Sequence, residues 1–143
     1  MNEPFIPEQF GVLPGDAKIV NELRRWLRSI PALERIDFIK KVWLVNYRLS
    51  ISLIRSSQLS IKEAIDLLQY WVVYANHNAA RGLIEGFIPV LGEERFWKAV
   101  IEVELSPTME DFLNYHGHDK LKQLKNGKQN AQTRSDLRPF IFP

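Results

Sequence analysis

The stretch from Pro31 to Arg55 carries helical periodicity with no internal glycine or proline, over a longer run than any other part of the chain. With successive residues stepping by about 100°, Glu34, Asp37, Lys41, Arg48, Ser52 and Arg55 fall in one narrow polar strip. Leu33, Ile36, Phe38, Ile39, Val42, Trp43, Val45, Leu49, Leu53 and Ile54 cover most of the remaining circumference, interrupted mainly by Arg35, Asn46 and Ser50. A helix apolar on most of its sides is normally covered by several neighbours. The pattern predicts a single long helix over 31–55 at the centre of an all-α, single-domain bundle of about five to six helices.

Composition limits the alternatives. A chain of 143 residues is one domain's worth and long enough to bury a core. The absence of cysteine excludes disulfides, thiolate metal sites and cysteine nucleophiles. No apolar run approaches the roughly 20 residues that span a bilayer, and Met-Asn-Glu-Pro-Phe lacks the features of a signal peptide. A cytoplasmic protein without membrane partners is expected. The formal net charge of +2 is unevenly placed: residues 118–143 hold six basic and two acidic side chains, so the remainder is mildly acidic.

Around the central run, breakers and caps divide the chain. Residues 1–15, with Pro4, Pro7, Pro14, Gly11 and Gly15, are predicted as an extended arm whose Phe5, Ile6, Phe10, Val12 and Leu13 peg it to the helical body. Asp16 is placed to cap a first helix reaching about Ser29, with Leu23, Trp26 and Leu27 on its inner face. Pro31 suits the first turn of the central helix. Ser60-Ile61-Lys62-Glu63 is a capping box. The helix it opens either runs to Ile88, as the preserved phase of its apolar stripe favours, or splits at Asn76-His77-Asn78 with Asn78 as a cap. Ala75, Ala79, Gly82 and Gly86 form a face without bulk, which points to a tight helix crossing or a bend, with substrate approach as the rarer reason.

Further along, Pro89 and Gly92 end one helix, Glu93 and Glu94 begin another, and the alternation at Val100–Leu105 is read as helix because a lone strand has no partner. Ser106-Pro107 opens a helix that Gly117 stops, and a short helix over 119–125 follows. The helical domain is thus expected over 16–125. Residues 126–143 are expected to be a flexible basic tail ending in the apolar Arg138-Pro139-Phe140-Ile141-Phe142-Pro143.

Three kinds of site compete. His77, Arg81 and Glu85 recur every four residues and fit either proton transfer in a cleft or a solvated ion-paired face. His116 and His118, with nearby acids, offer ligand types for zinc but not a recognised ligand spacing, so neither a metal nor a cofactor is expected. No phosphate loop or nucleophile elbow is present. Lys41, Arg48 and Arg55, seven apart, form a basic line that, with Lys120, Lys122, Lys125 and Lys128, would allow nucleic-acid binding. Asn46 and Ser50 read as a buried hydrogen-bonded pair. The leading expectation is a non-enzymatic adaptor or regulator that binds a protein partner, or a second copy of itself, through helix faces. Leu44 and Ile51, beside the charged strip, and Arg138, Phe140 and Phe142 of the terminal peptide are the expected contacts.

Overall fold

The computed structural model describes residues 5–10 and 17–127. It is an all-α single domain with α1 at Ala17–Ser29, α2 at Ala32–Val45, α3 at Tyr47–Ser56, α4 at Ile61–Tyr74, α5 at Ala80–Leu91, α6 at Glu93–Ile101 and α7 at Pro107–His116. Residues 120–127 form a further helical segment, α8. Short 3-10 turns lie at Pro7–Phe10 and His77–Ala79.

The single rod expected over 31–55 is broken. Asn46, at φ −159° and ψ 84°, ends α2 and caps α3, its side chain accepting from Leu49 N. The Asn46 Nδ2 donates to Phe10 O at 3.1 Å, tying the N-terminal segment to the corner. Two hydrogen bonds show that the chain reverses. Ser50 Oγ donates to Ile39 O at 2.7 Å, although these residues are 11 apart and would lie about 16 Å apart along a straight helix. At the open end, Arg35 Nη1 reaches Ser57 O at 2.7 Å across 22 residues, a separation of about 33 Å on a rod. α2 and α3 are therefore an antiparallel hairpin with one residue at its bend. Asn46 and Ser50 are both satisfied, but by Phe10, Leu49 and Ile39 and not by each other.

Arg35 closes this hairpin with no acidic partner among the described residues. Its guanidinium donates to the carbonyls of Leu27 (2.8 Å) and Ile30 (3.0 Å) at the end of α1, and of Ser57 (2.7 Å) and Gln58 (3.2 Å) after α3. Helix C-termini expose carbonyls without intrahelical donors and carry partial negative charge. One planar cation with five N–H groups satisfies two such ends at once.

The helix with the widest contacts is α5, packed on α3, α4, α6 and α7. The hub is thus not the 31–55 segment. The chain also splits between α4 and α5, where continuity was favoured. Ala75 takes an extended backbone, and Asn76, not Asn78, caps the following turn by accepting from Asn78 N at 2.9 Å. Aromatic contacts then link the layers: Trp43 of α2 stacks on Trp71 of α4 at 4.2 Å, and Trp71 meets Phe87 of α5 edge-on at 5.9 Å.

Local signals fared better. Ser60 and Glu63 form the reciprocal capping box, and Ser106 caps α7 with Pro107 in its first turn. Residues 102–105, however, are neither helix nor strand, since Ser106, at ψ 149°, must be extended before a proline. In the N-terminal segment Phe10 is buried and Phe5 packs on Trp26 at 5.7 Å, while Ile6 is exposed and Pro7–Phe10 is a turn, not an extended strap. Val12, Leu13 and the Asp16 cap lie outside the described residues.

The hairpin predicts two stability effects. Arg35→Ala should lower unfolding free energy by roughly 2–4 kcal/mol, and Arg35→Lys should recover only a minor part, because an ammonium cannot reach four carbonyls. Asn46→Ala should cost about 1–2 kcal/mol through loss of the cap and the Phe10 bond. Urea denaturation followed by circular dichroism measures all three variants.

Candidate functional site

Two surface features stand out, and the α2–α3 reversal positions both. The first is a groove of about 640 Å³ between α3 and α5. Ile51 of α3 rests on the face of α5 where Gly82 and Gly86 have no side chains. A Cβ on Gly82 would lie 2.7 Å from Ile51 Cδ1, and one on Gly86 would collide with Ile51 Cγ2. The small-residue face is therefore a tight crossing, as its composition predicts. Ile51, expected as a partner contact, is half-buried, packed against the core of its own chain, and lines this groove.

Helical spacing sets the walls. Arg48, Ser52 and Arg55 follow one another at four and three residues along α3, while Arg81 and Glu85 descend the side of α5 below Asn78 of the preceding turn, with Arg24 of α1 and Tyr47 completing the lining. Arg81 Nε donates to Glu85 Oε1 at 2.9 Å. That hydrogen bond, and then the carboxylate's charge, raises the Arg81 pKa further above its ordinary value, so this guanidinium keeps its proton throughout the accessible pH range. Arg55 makes no hydrogen bond or ion pair among the described residues, and Arg48 has only the ring of Tyr47, 6.0 Å away. Arg24 Nε is buried without an acceptor among the described residues.

The basic line expected along one helix is thus rearranged. The break at Asn46 leaves Lys41 on α2, bridged to Asp37 at 2.9 Å, while Arg48 and Arg55 join Arg24 and Arg81 from other helices. The His77-Arg81-Glu85 row is also divided. Arg81 and Glu85 are an exposed i,i+4 ion pair, but His77 sits in the turn before α5 and packs edge-on against Phe112 of α7 at 4.5 Å. A lone periodic pattern could not reveal that α4 stops at Tyr74 and that α5 begins only at Ala80, after His77.

The second feature is an aromatic face on the opposite edge of the hairpin. Leu44, 82% exposed, and Tyr74, 75% exposed, flank a groove of about 350 Å³ between α2 and α4. Its wall holds Trp43 on the Trp43–Trp71 stack and Tyr70, whose ring carries Lys40 Nζ at 4.1 Å. Leu44 was legible as an exposed apolar position. Tyr70 and Tyr74 were not assigned to this face, because their juxtaposition with Leu44 needs the packing of α4 on α2.

Elsewhere, the expected sites are dispersed. No group of three or more His, Asp or Glu side chains among the described residues is arranged to hold a metal. His116 lies against Phe112 and Tyr115, and His118 is exposed in the turn after α7. Gly117 ends α7, yet its φ is ordinary and its small size is demanded by the Trp97 ring, which a Cβ would strike. Lys125 bridges Glu110 at 2.7 Å, joining α8 to α7, whereas Lys120 and Lys122 are exposed. Lys128, Arg138, Phe140 and Phe142 lie outside the described residues. No described helix is long and apolar enough to cross a membrane.

The chain matches no protein-family model, no curated protein and no solved structure.

The crossing beneath the groove predicts an ordered pair of effects. Gly86→Ala should destabilise by about 1–3 kcal/mol, as overpacking against a β-branched side chain does. Gly82→Ala should cost less, because it meets only the end of the Ile51 side chain. Ile51→Ala in the Gly86→Ala background should restore part of the loss, and thermal melts of the single and double variants measure that coupling.

Proposed function

We propose that this protein is a non-enzymatic interaction module that holds a protein partner on the α2–α4 face. The observation that carries this reading is the pairing of Leu44 and Tyr74, two large apolar side chains left almost wholly in water, on either side of a groove floored by stacked tryptophans. Scattered exposed leucines are ordinary on protein surfaces. A cluster with aromatic walls and a charged border is the composition of an interface centre. Lys40, Lys41 and Asp37 border this groove and supply that polar rim.

The groove fits an apolar anchor from a partner, such as a leucine or aromatic side chain projecting from a helix. A second copy of this chain is one such partner, since the face offers both exposed knobs and a hollow. The terminal peptide with Arg138, Phe140 and Phe142 is a separate contact in this reading. Proton-transfer chemistry loses support from the separation of His77 from the Arg81–Glu85 pair.

Affinity capture from a native extract, with the full chain as bait, tests the reading. Leu44→Asp and Tyr74→Ser should each abolish retention of the protein that the unmodified chain retains, and their thermal midpoints should stay unchanged because both side chains are exposed. Retention by both variants at the original level would overturn the α2–α4 assignment. A bait ending at residue 125 measures what the terminal peptide adds, and sedimentation equilibrium of the same variants decides whether the partner is another copy.

A further inference from the structure

The α3–α5 groove lies away from the aromatic face, and its chemistry is different. Among the described residues four arginines from three helices, Arg24, Arg48, Arg55 and Arg81, line it with a single carboxylate, Glu85. Like charges gathered in one hollow repel one another, and the ion pair of Arg81 with Glu85 neutralises only one of them. Arg55 is left without an ionic partner among the described residues, and Arg24 holds a water-shielded N–H without an acceptor.

We infer that this groove is a binding site for a small phosphorylated molecule bearing at least two negative charges, of about nucleotide size. Guanidinium forks match the oxygens of phosphate better than any other side chain does. Arg48 and Arg55 stand two helical turns apart, about 10 Å along α3 at the backbone, a gap that two long, flexible side chains can close to meet the phosphates of one ligand. The volume of about 640 Å³ is that of a small-molecule site. The glycines of α5 are part of the construction: with no side chains at 82 and 86, α3 approaches closely enough to bring its arginines to the rim opposite Arg81.

A small ligand is favoured over a nucleic-acid strand by the limits of the basic surface. Beyond the groove, Lys41 is on the other arm of the hairpin and bridged to Asp37, Arg25 and Arg28 extend the basic surface only along α1, with Arg28 drawn onto Ser56 O, and Glu85 closes the α5 side. A polymer would need a continuous basic track, which these residues do not form. Tyr47 at the rim is exposed enough for a planar group to rest against it.

Isothermal titration of the full chain with inorganic pyrophosphate, adenosine diphosphate and an oligouridylate of about twelve nucleotides tests this at low and moderate salt. Pyrophosphate should bind with one-to-one stoichiometry, and adenosine diphosphate at least as tightly. Arg48→Ala and Arg55→Ala should each weaken binding by about tenfold, the equivalent of one charge-assisted hydrogen bond. Neither side chain has a hydrogen bond among the described residues, and circular dichroism should confirm an unchanged fold. Glu85→Gln should tighten binding by freeing Arg81 and removing the like charge. Combined replacement of Lys128, Arg134 and Arg138 by Ala should leave it unaltered. Absence of pyrophosphate binding, insensitivity to the groove variants, or loss with the tail variant alone would overturn the site. Oligouridylate binding more than about tenfold tighter than adenosine diphosphate would overturn the small-ligand assignment in favour of a strand.

Discussion

The structure depends on a reversal made at one residue. Asn46 stops α2, starts α3 and turns the chain back on itself, and Arg35 then joins the free ends of the hairpin to the end of α1 through four carbonyls. Each device answers an ordinary requirement of helix ends. A new helix needs an acceptor for its first amides, which the Asn46 side chain supplies, and exposed terminal carbonyls need donors, which Arg35 supplies. Neither device alone specifies an antiparallel pair. Together they hold it at both ends, and Ser50 pins the middle to Ile39 from a fully buried position.

Both surface features follow from that reversal. A straight helix would spread Lys41, Arg48 and Arg55 along one edge. The hairpin instead sends Lys41 to one side and presents Arg48 and Arg55 to α5, with Ile51 between them seated on glycine. It also leaves Leu44 at the corner, where nothing in the described residues covers it and where α4 adds Tyr70 and Tyr74. The proposed protein-binding face and the proposed phosphate groove thus occupy different arms of one supersecondary unit. Packing of Trp43 on Trp71, and of Trp71 on Phe87, connects α2 through α4 to α5, the far wall of the groove.

What could be read from the sequence was local. The capping box at Ser60, the Ser106-Pro107 start and the close crossing at Gly82 and Gly86 all rest on residues within a turn or two of one another. The all-α class followed from periodicity. The reversal was hidden because the apolar phase continues across Asn46, so continuity outweighed the capping preference of a single asparagine. The same happened at Asn76. Arg35 did leave a trace: it sits on an otherwise apolar arc with no carboxylate three or four residues away, so its donors had to be satisfied from elsewhere in the fold. The groove could not be foreseen, since Arg24 and Arg81 are brought to Arg48 only by the packing of α1 and α5 around α3.

The hairpin itself is open to direct measurement. The chain has no cysteine, so Glu34→Cys and Arg55→Cys introduce a single pair of spin-label sites, both exposed, for electron–electron distance measurement. Packed helices with axes 8–10 Å apart, together with two label arms, predict a distribution centred below about 25 Å. An unbroken helix would separate the same backbone positions by about 31 Å of rise, and a narrow distribution centred at about 30 Å or beyond would contradict the reversal at Asn46.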